Sequence, residues 1–506
     1  MRYGFVIDHR KCIGCHACTV ACKEENQVPL GAFRTWVKYV EKGTFPHTRR
    51  YFSVLRCNHC DNAPCVTICP TTALYRRDDG VVDFDGARCI GCKSCMQACP
   101  YDALYIDPGT NTAAKCNYCA HRLEIGLEPA CVIVCPEQAI IAGDLDCPST
   151  TISRLVAREQ VEVRKPEQGT RPKVYYIGAE SSALTPSLQA PAASYLWAQR
   201  GGGEIDLVRM AASLQAGERG GDGALSRPVY DAPHAPRPWG WKVSAYLWTK
   251  SIAAGALMMA AFDRIMSLTR GDALFDTAAA VVALVFLALT MGLLVLDLKR
   301  PERFHYVLIK GQWRSWLVRG AWILMAYGLV AGLWLVTSRA QHAALVLPAL
   351  ALAAGAAGYS AFLFGQAEGR DFWQSPLLLP HLLVAAMLAG AASLLVVGTV
   401  IGAAHVAVLS MGGFLAVGLL LHGALMLAEL GVTHANTDVA RAARLLTAGG
   451  YRSRFWAGAV VGGVLLPFLL IVWVPGGMVI GALLALAGLW VYEDVWVRAG
   501  QSIPLS

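Results

Sequence analysis

The sequence predicts an α+β domain over residues 1–180, followed by an all-α bundle of eight transmembrane helices. Two observations carry this reading. Sixteen of the 17 cysteines fall in four groups of four before residue 136, whereas from about residue 243 the chain is dominated by Ala, Leu, Val and Gly in long uncharged runs, without any cysteine. The averages, 55% hydrophobic residues and a formal net charge of +8, therefore describe neither half. At 506 residues the chain is too long for one ordinary domain. Its basic excess belongs to Arg and Lys flanking apolar runs, which excludes a nucleic-acid surface.

The groups read Cys12-x2-Cys15-x2-Cys18-x3-Cys22, Cys57-x2-Cys60-x4-Cys65-x3-Cys69-Pro70, Cys89-x2-Cys92-x2-Cys95-x3-Cys99-Pro100 and Cys116-x2-Cys119-x11-Cys131-x3-Cys135-Pro136. The first and third follow the bacterial ferredoxin spacing, in which the fourth cysteine ligates the neighbouring cluster. Each iron of a [4Fe–4S] cube needs one thiolate. Three closely spaced cysteines can wrap three corners, and the fourth must come from elsewhere because a short loop cannot reach around the cube. The proline after the last cysteine stops the helix and turns the chain away. Structural zinc needs only pairs of cysteines, and disulfides suit a secreted domain. Four runs of four instead make room for four [4Fe–4S] clusters, and the first domain is expected to be double-ferredoxin-like, one unit inserted in the other.

The elements follow in order. Met1–Lys11 has no apolar run and no twin arginine, and thiols destined for clusters suit a reducing compartment. Between the first two groups, Pro29–Arg56 contains alternating stretches such as Trp36–Val40 that suit strands. Short strands are expected after the Cys-Pro turns, at Ala73–Tyr75, Ala103–Ile106 and Ala139–Ile141, and the domain ends near Tyr176–Ile177. Residues 181–242, rich in Gly, Pro and Ala, read as a linker over the membrane surface. Cys147, outside every group, reads as a plain buried thiol. In the domain 243–506, spans are expected at 244–266, 273–297, 316–337, 343–365, 377–402, 405–430, 455–475 and 477–497.

An even number of spans puts both termini on one side. That side holds Lys242, Lys299, Arg300, Arg303, Lys310, Arg314, Arg319, Arg370, Arg441, Arg444, Arg452, Arg454 and Arg498; the other holds Arg264, Arg270 and Arg339. The bias places the cysteine-rich domain in the cytoplasm, on the inner membrane of a bacterium. Ionisable residues within spans are functional candidates. Lys250, Asp297, Arg319, Tyr359, His381, His422 and Glu429 all fall in the cytoplasmic leaflet at about 1.5 Å per helical residue. His422 and Glu429, seven residues apart, share a helix face. The opposite leaflet offers Asp263, Arg264, His342 and His405 near its surface. A polar pocket directly beneath the iron–sulfur domain suits a quinone, whose carbonyls need hydrogen-bond donors and whose reduction needs protons. The bland alternative makes Asp297, Arg319 and Glu429 structural ion pairs and lets Lys250 snorkel. His381 and His422 as axial ligands of a haem are a further alternative, disfavoured by so sparse a histidine pattern.

Residues 1 to about 180 resemble the four-cluster iron–sulfur subunit of molybdopterin oxidoreductases, the group of polysulfide, dimethyl sulfoxide and nitrate reductases and formate and sulfite dehydrogenases. The carrying motifs are the cysteine groups and Arg164–Thr170. Residues from about 240 resemble the NrfD/polysulfide-reductase-type membrane anchor through Leu296–Phe304, Ser315–Trp322, Ala428–His434 and the tail Ala499–Ser506. The resemblance implies eight helices, a quinone site and no haem. It also implies that Cys12, Cys15 and Cys18 share a cluster with Cys135, and Cys116, Cys119 and Cys131 share one with Cys22. Cys57, Cys60 and Cys65 would take Cys99, and Cys89, Cys92 and Cys95 would take Cys69. Cys92 stands where some relatives lack a cysteine, so four full cubes are expected. Two departures stand out: modules that are usually separate chains are fused here, and the first span has Trp248 and Lys250 where the polysulfide-reductase member uses Asn and His for quinone; Tyr359 matches a family tyrosine. The implied function is an electron-transfer and quinone-reacting subunit, partnered by a separate molybdopterin (Mo or W) catalytic chain and resembling a sulfite dehydrogenase. The alternative is a proton-translocating module like that of alternative complex III, with a path from Asp297 and Glu429 to Asp263.

Overall fold

The computed structural model describes residues 1–44, 46–190, 226–232, 238–267, 271–431 and 434–506. The chain divides into two compact units, Met1–Pro236 with Pro504–Ser506, and Arg237–Ile503.

The first unit is α+β. Its strands are β1 (Tyr3–Asp8), β2 (Thr35–Thr44), β3 (His47–Arg56), β4 (Leu74–Arg76), β5 (Val82–Phe84), β6 (Leu104–Ile106), β7 (Ala113–Lys115), β8 (Ile140–Asp144), β9 (Val161–Glu162), β10 (Val174–Ile177) and β11 (Arg227–Tyr230). One sheet has the order β8-β1-β10-β9, with β1 parallel to β10 and antiparallel to β8. Phe5, Val6 and Ile7 of β1 are fully buried, as expected of a central strand covered on both faces. Strands β4 and β5, and β6 and β7, form two small ribbons. Strands β4, β6 and β8 each start one residue inside the stretch expected after a Cys-Pro turn.

The helices of this unit are short because the cysteine loops leave room for little more: α1 (Ala17–Glu25), α2 (Pro64–Ile68), α3 (Ser94–Ala98), α4 (Ala120–Leu123), α5 (Ala130–Ile133), α6 (Thr151–Arg158) and α7 (Ser181–Leu184). Two of the unit's apolar clusters enclose the cysteines. Ile68, Leu74, Val82, Tyr101 and Leu104 pack around one set of cysteines, and Phe5, Ile7, Val37, Val54, Val174 and Tyr176 pack around another.

Part of the segment expected to be a linker is built into this unit. Besides α7, strand β11 pairs antiparallel with β2, and Asp231 just beyond it forms an ion pair with buried Lys38 at 3.4 Å. The edge of β2 needs a partner, and an edge strand tolerates Pro228. Residues 191–225 of that segment lie outside the described residues.

The second unit is all-α: α8 (Trp241–Met266), α9 (Ala279–Asp297, preceded by a π-helical turn Leu274–Ala278), α10 (Tyr306–Ile309), α11 (Trp316–Val336), α12 (Arg339–Gly365), α13 (Leu378–Ile401), α14 (His405–Gly431), α15 (Thr437–Thr447), a π-helical run Arg454–Leu465 continuing into α16 (Leu466–Trp473), and α17 (Met478–Gln501). Among the described residues, seven helices are long and apolar enough to cross a membrane. The eighth expected span, α8, has the length but carries Lys242, Ser244, Thr249, Lys250, Ser251 and Asp263. It packs against α9, α12, α13 and α17, and buries most of its length. A helix enclosed by other helices needs no apolar face for lipid, so its composition falls short of the other seven.

Small residues set the closest crossings. A Cβ on Gly255 of α8 would stand 1.8 Å from the Ala386 carbonyl oxygen and 2.7 Å from the Gly390 nitrogen of α13, so the two backbones touch. Gly292 of α9 has nothing within 4 Å of its Cβ position. Gly255→Val should therefore cost at least about 2 kcal/mol of stability. Detergent melting curves should show Gly292→Val near wild type and Gly255→Val well below it.

Candidate functional site

The loops that carry the cysteines share one conformation. The residue two after the first cysteine of every group has positive φ: Gly14 (71°), His59 (43°), Gly91 (68°) and Tyr118 (63°). Positive φ recurs three residues after the last cysteine of the Cys-Pro groups, at Thr72, Asp102 and Gln138. Residues other than glycine adopt this region only at a cost, and its effect is to aim successive N–H groups at one point, as in anion-binding nests. Here the point is sulfur. The His59 N–H donates to Cys57 Sγ at 3.5 Å, Gly91 and Ala113 to Cys89 Sγ at 3.4 and 3.3 Å, and Ala139 to Cys135 Sγ at 3.3 Å.

The cysteines meet in four sets. Cys12, Cys15, Cys18 and Cys135 line one cavity, and Cys69, Cys89, Cys92 and Cys95 line another. Cys22 lies among Cys116, Cys119 and Cys131. Cys99 lies beside Cys57, Cys60 and Cys65. In each group the third and fourth cysteines are separated by a single helical turn, α1 for Cys18 and Cys22, α2 for Cys65 and Cys69, α3 for Cys95 and Cys99, and α5 for Cys131 and Cys135. Each turn thus links two sets.

All 17 cysteines are free thiols, which removes the disulfide reading. Among the described residues no three His, Cys, Asp or Glu side chains close in on a single-ion site; thiols grouped around a volume instead of a point suit a cube better than zinc. Burial pushes Cys99 up to about 11 and Cys18, Cys92 and Cys116 up to about 12. Thiolates at these positions would need a compensating positive charge, which bound iron would supply. The donor set, the inward N–H groups and the cavities fit [4Fe–4S] clusters. Cys147 is half-buried, not buried: it stands 3.1 Å from Ser149 Oγ on the loop between β8 and α6.

In the membrane unit the expected residues separate into two sets. Lys250 of α8 is buried, with Nζ donating to the Ala357 carbonyl at 2.7 Å and Ser360 Oγ at 2.8 Å, and lies 5.0 Å from the centre of the Tyr359 ring. It does not snorkel. The Tyr359 ring fills the space left by Gly320 of α11, where a Cβ would stand 2.3 Å from it. Glu493 of α17 is buried within electrostatic reach of Lys250, and neither carboxyl oxygen has a hydrogen-bond partner among the described residues. In the second set, His381 Nε2 and His422 Nδ1 are 2.9 Å apart, the Tyr492 hydroxyl lies 3.4 Å from His381 Nδ1, and it donates to Glu429 Oε2 at 3.2 Å. Tyr492 stacks on His381 with ring centres 4.9 Å apart.

The other expected residues stand apart. Arg319 is exposed, its Nε donating to the Trp313 carbonyl at 2.6 Å and its guanidinium over Trp316. A cation at the end of α11 reaches outward to the nearest carbonyl and ring, so it joins neither set. Trp248 is half-buried and donates to the Leu486 carbonyl at 2.9 Å. Asp297, at the end of α9, is half-buried within electrostatic reach of Tyr246. His405 is exposed at the start of α14. Val432 and Thr433 of the motif after Glu429 lie outside the described residues.

Sequence reasoning passed over Tyr492, Glu493 and Asp494, three consecutive polar residues in the last span. Asp494 bonds Ser244 at 3.3 Å and Arg498 at 2.8 Å. The signal was available, since two adjacent carboxylates inside an apolar run mark a functional candidate.

Comparison with known proteins gives the same division. Residues 48–145 match a 4Fe-4S dicluster domain, and residues 232–504 match the family described as polysulphide reductase, NrfD, over more than half of the chain. The protein belongs to the NrfD family. It is 47% identical over 200 residues to a tetrathionate reductase subunit of Salmonella typhimurium, covering 39% of this chain and 80% of the relative. It is 41% identical over 181 residues to a component of the polysulfide reductase of Wolinella succinogenes, covering 35% of this chain and 94% of the relative. With the arsenate respiratory reductase iron–sulfur subunit of a Shewanella species it shares 35% identity over 225 residues, 35% of this chain and 96% of the relative. Relatives named as parts of reductases favour an oxidoreductase subunit over the proton-translocating module. The chain is a multi-pass membrane protein with an iron–sulfur domain and serves electron transfer.

Replacing Cys69 by Ser should remove about four irons per chain, one cluster's worth. Cys147→Ser should leave iron content and the visible absorption spectrum unchanged.

Proposed function

We propose that this chain carries single electrons between a separate molybdopterin (Mo or W) catalytic subunit and a quinone dissolved in the membrane. The observation that carries the reading is the presence, in one chain, of four cysteine quartets and a helical unit holding the buried set Lys250, Tyr246, Tyr359, Ser360 and Glu493. The four clusters, when bound, supply one-electron carriers; everything else falls to the protein's own groups. Lys250 and the hydroxyls of Tyr246 and Tyr359 offer hydrogen-bond donors to a quinone oxygen, and Glu493 is a carboxyl group free to exchange a proton. The charged–neutral pairing in this set is worth more than an ordinary hydrogen bond, about 1.5–3 kcal/mol.

The second set, His381, His422, Glu429 and Tyr492, is a connected run of proton-exchanging groups. Two imidazole nitrogens 2.9 Å apart stand closer than the two axial ligands of one haem iron, and we propose a haem-free site. A catalytic partner is supported by relatives that are named as parts of reductases. The outer substrate proposed is a sulfur compound: the orientation argument suits sulfite, and two relatives are named for tetrathionate and polysulfide. The bias of Lys and Arg supports a cytoplasmic iron–sulfur domain.

The full chain, purified with its lipids, should show its iron–sulfur absorbance bleached by a quinol analogue. Lys250→Met and Tyr359→Phe should each slow that bleaching about tenfold or more at unchanged iron content, the loss expected for one hydrogen bond to a charged group. Rates equal to wild type in both variants, with dithionite still reducing the clusters, would remove the quinone from this set. In sealed right-side-out vesicles a membrane-impermeant thiol reagent should leave Cys147 unlabelled, and label it once the vesicles are opened.

A further inference from the structure

Arg56, the last residue of β3, is fully buried. Its Nη1 donates to Cys131 Sγ at 3.1 Å, and its guanidinium lies 4.4 Å from the centre of the Phe5 ring. Nε and Nη2 have no hydrogen-bond partner among the described residues. The thiols of Cys131, Cys116 and Cys18, which belong to two different cysteine sets, lie within electrostatic reach of it. No carboxylate bonds it among the described residues. An isolated guanidinium in such a place pays a large desolvation cost, and contact with a ring face offsets only a small part of it. The fold therefore needs a negative charge here that free thiols do not supply. Thiolate-bound iron–sulfur centres on either side would supply it.

We propose that Arg56 is the shared counter-ion of two iron–sulfur centres, the one held by Cys12, Cys15, Cys18 and Cys135 and the one held by Cys22, Cys116, Cys119 and Cys131, and that its charge raises the reduction potential of both. The electrostatics give the sign. Each centre that takes up one electron gains one unit of negative charge, and a fixed cation within hydrogen-bond reach of a ligating sulfur stabilises the reduced form more than the oxidised one. Arg56 is thus a positioning and tuning residue, and it transfers no proton. The proposal rests on the reading that the cysteines hold clusters, and the tests separate the two.

The experiment is a redox titration of the full membrane-bound chain followed by electron paramagnetic resonance, with iron counted in every sample. In Arg56→Met, two of the four cluster signals should move to lower potential by at least tenfold in the one-electron equilibrium, about 59 mV, while the other two stay in place. Arg56→Lys, which keeps the charge, should retain potentials close to wild type. Fully loaded Arg56→Met with unmoved potentials overturns the proposal, as does an equal shift in all four signals. Should Arg56→Met lose iron, retention of all four clusters by Arg56→Lys supports the counter-ion role; equal iron loss in both assigns Arg56 to the fold alone and overturns it. Wild-type protein with far fewer than four clusters fails the underlying reading instead.

Discussion

A cube of four irons presents its ligand sites in tetrahedral directions, and no short stretch of polypeptide reaches all four. That constraint dictates the first unit. Three thiols come from one loop and the fourth from a loop remote in sequence, so Cys135 returns to Cys12, Cys15 and Cys18, and Cys22 reaches the fourth group. The chain must fold back on itself at least as far as β1 pairs with β8 and β10, which lie on the far side of every cysteine group. The single helical turns between third and fourth cysteines then hold neighbouring sets at a fixed spacing. Left-handed residues at Gly14, His59, Gly91 and Tyr118 follow from the same demand, because that geometry helps turn main-chain N–H groups toward sulfur.

The membrane unit answers a different constraint. Apolar helices in lipid gain little from burying one another, so close approach depends on small side chains and on polar groups that find partners inside. Helix α8 shows both: Gly255 sits against Gly390, and Lys250 is satisfied by Ala357 and Ser360. Helix α17 supplies the complementary groups, with Tyr492 facing His381 and Glu429, Glu493 facing Lys250, and Asp494 facing Ser244. Three successive residues on a helix point about 100° apart, which is why neighbours in sequence serve different partners.

Much of this was legible in the sequence, for identifiable reasons. Metal ligation fixes cysteine spacing almost covalently, and proline after cysteine marks where a strand can begin, so β4, β6 and β8 could be placed. Spans were legible because lipid demands long apolar runs. What escaped depends on three-dimensional company. Strand β11 hides in a Gly- and Pro-rich stretch because its strand character comes from the free edge of β2. Arg56 looks in sequence like any surface arginine, and its burial comes from Phe5 and three cysteines brought from elsewhere. Arg319 misled in the opposite sense: its place along the helix says nothing of its rotation about the axis, and it lies on the exposed face, away from the polar interior. Glu493 escapes a reading of its own span because the group that gives it meaning, Lys250, stands on a different helix.

The contact between Gly255 and Gly390 has one more consequence. With no side chains between them, the inner helix is held by its neighbour's main chain, which can neither repack nor change rotamer. Sliding or twisting of α8 would drive backbone into backbone, so the ammonium group of Lys250 has a fixed address in the bilayer. Any movement that accompanies a carrier's arrival or departure must then come from the outer, lipid-washed helices. Sequence drift should be freest on those outer faces and slowest along this seam.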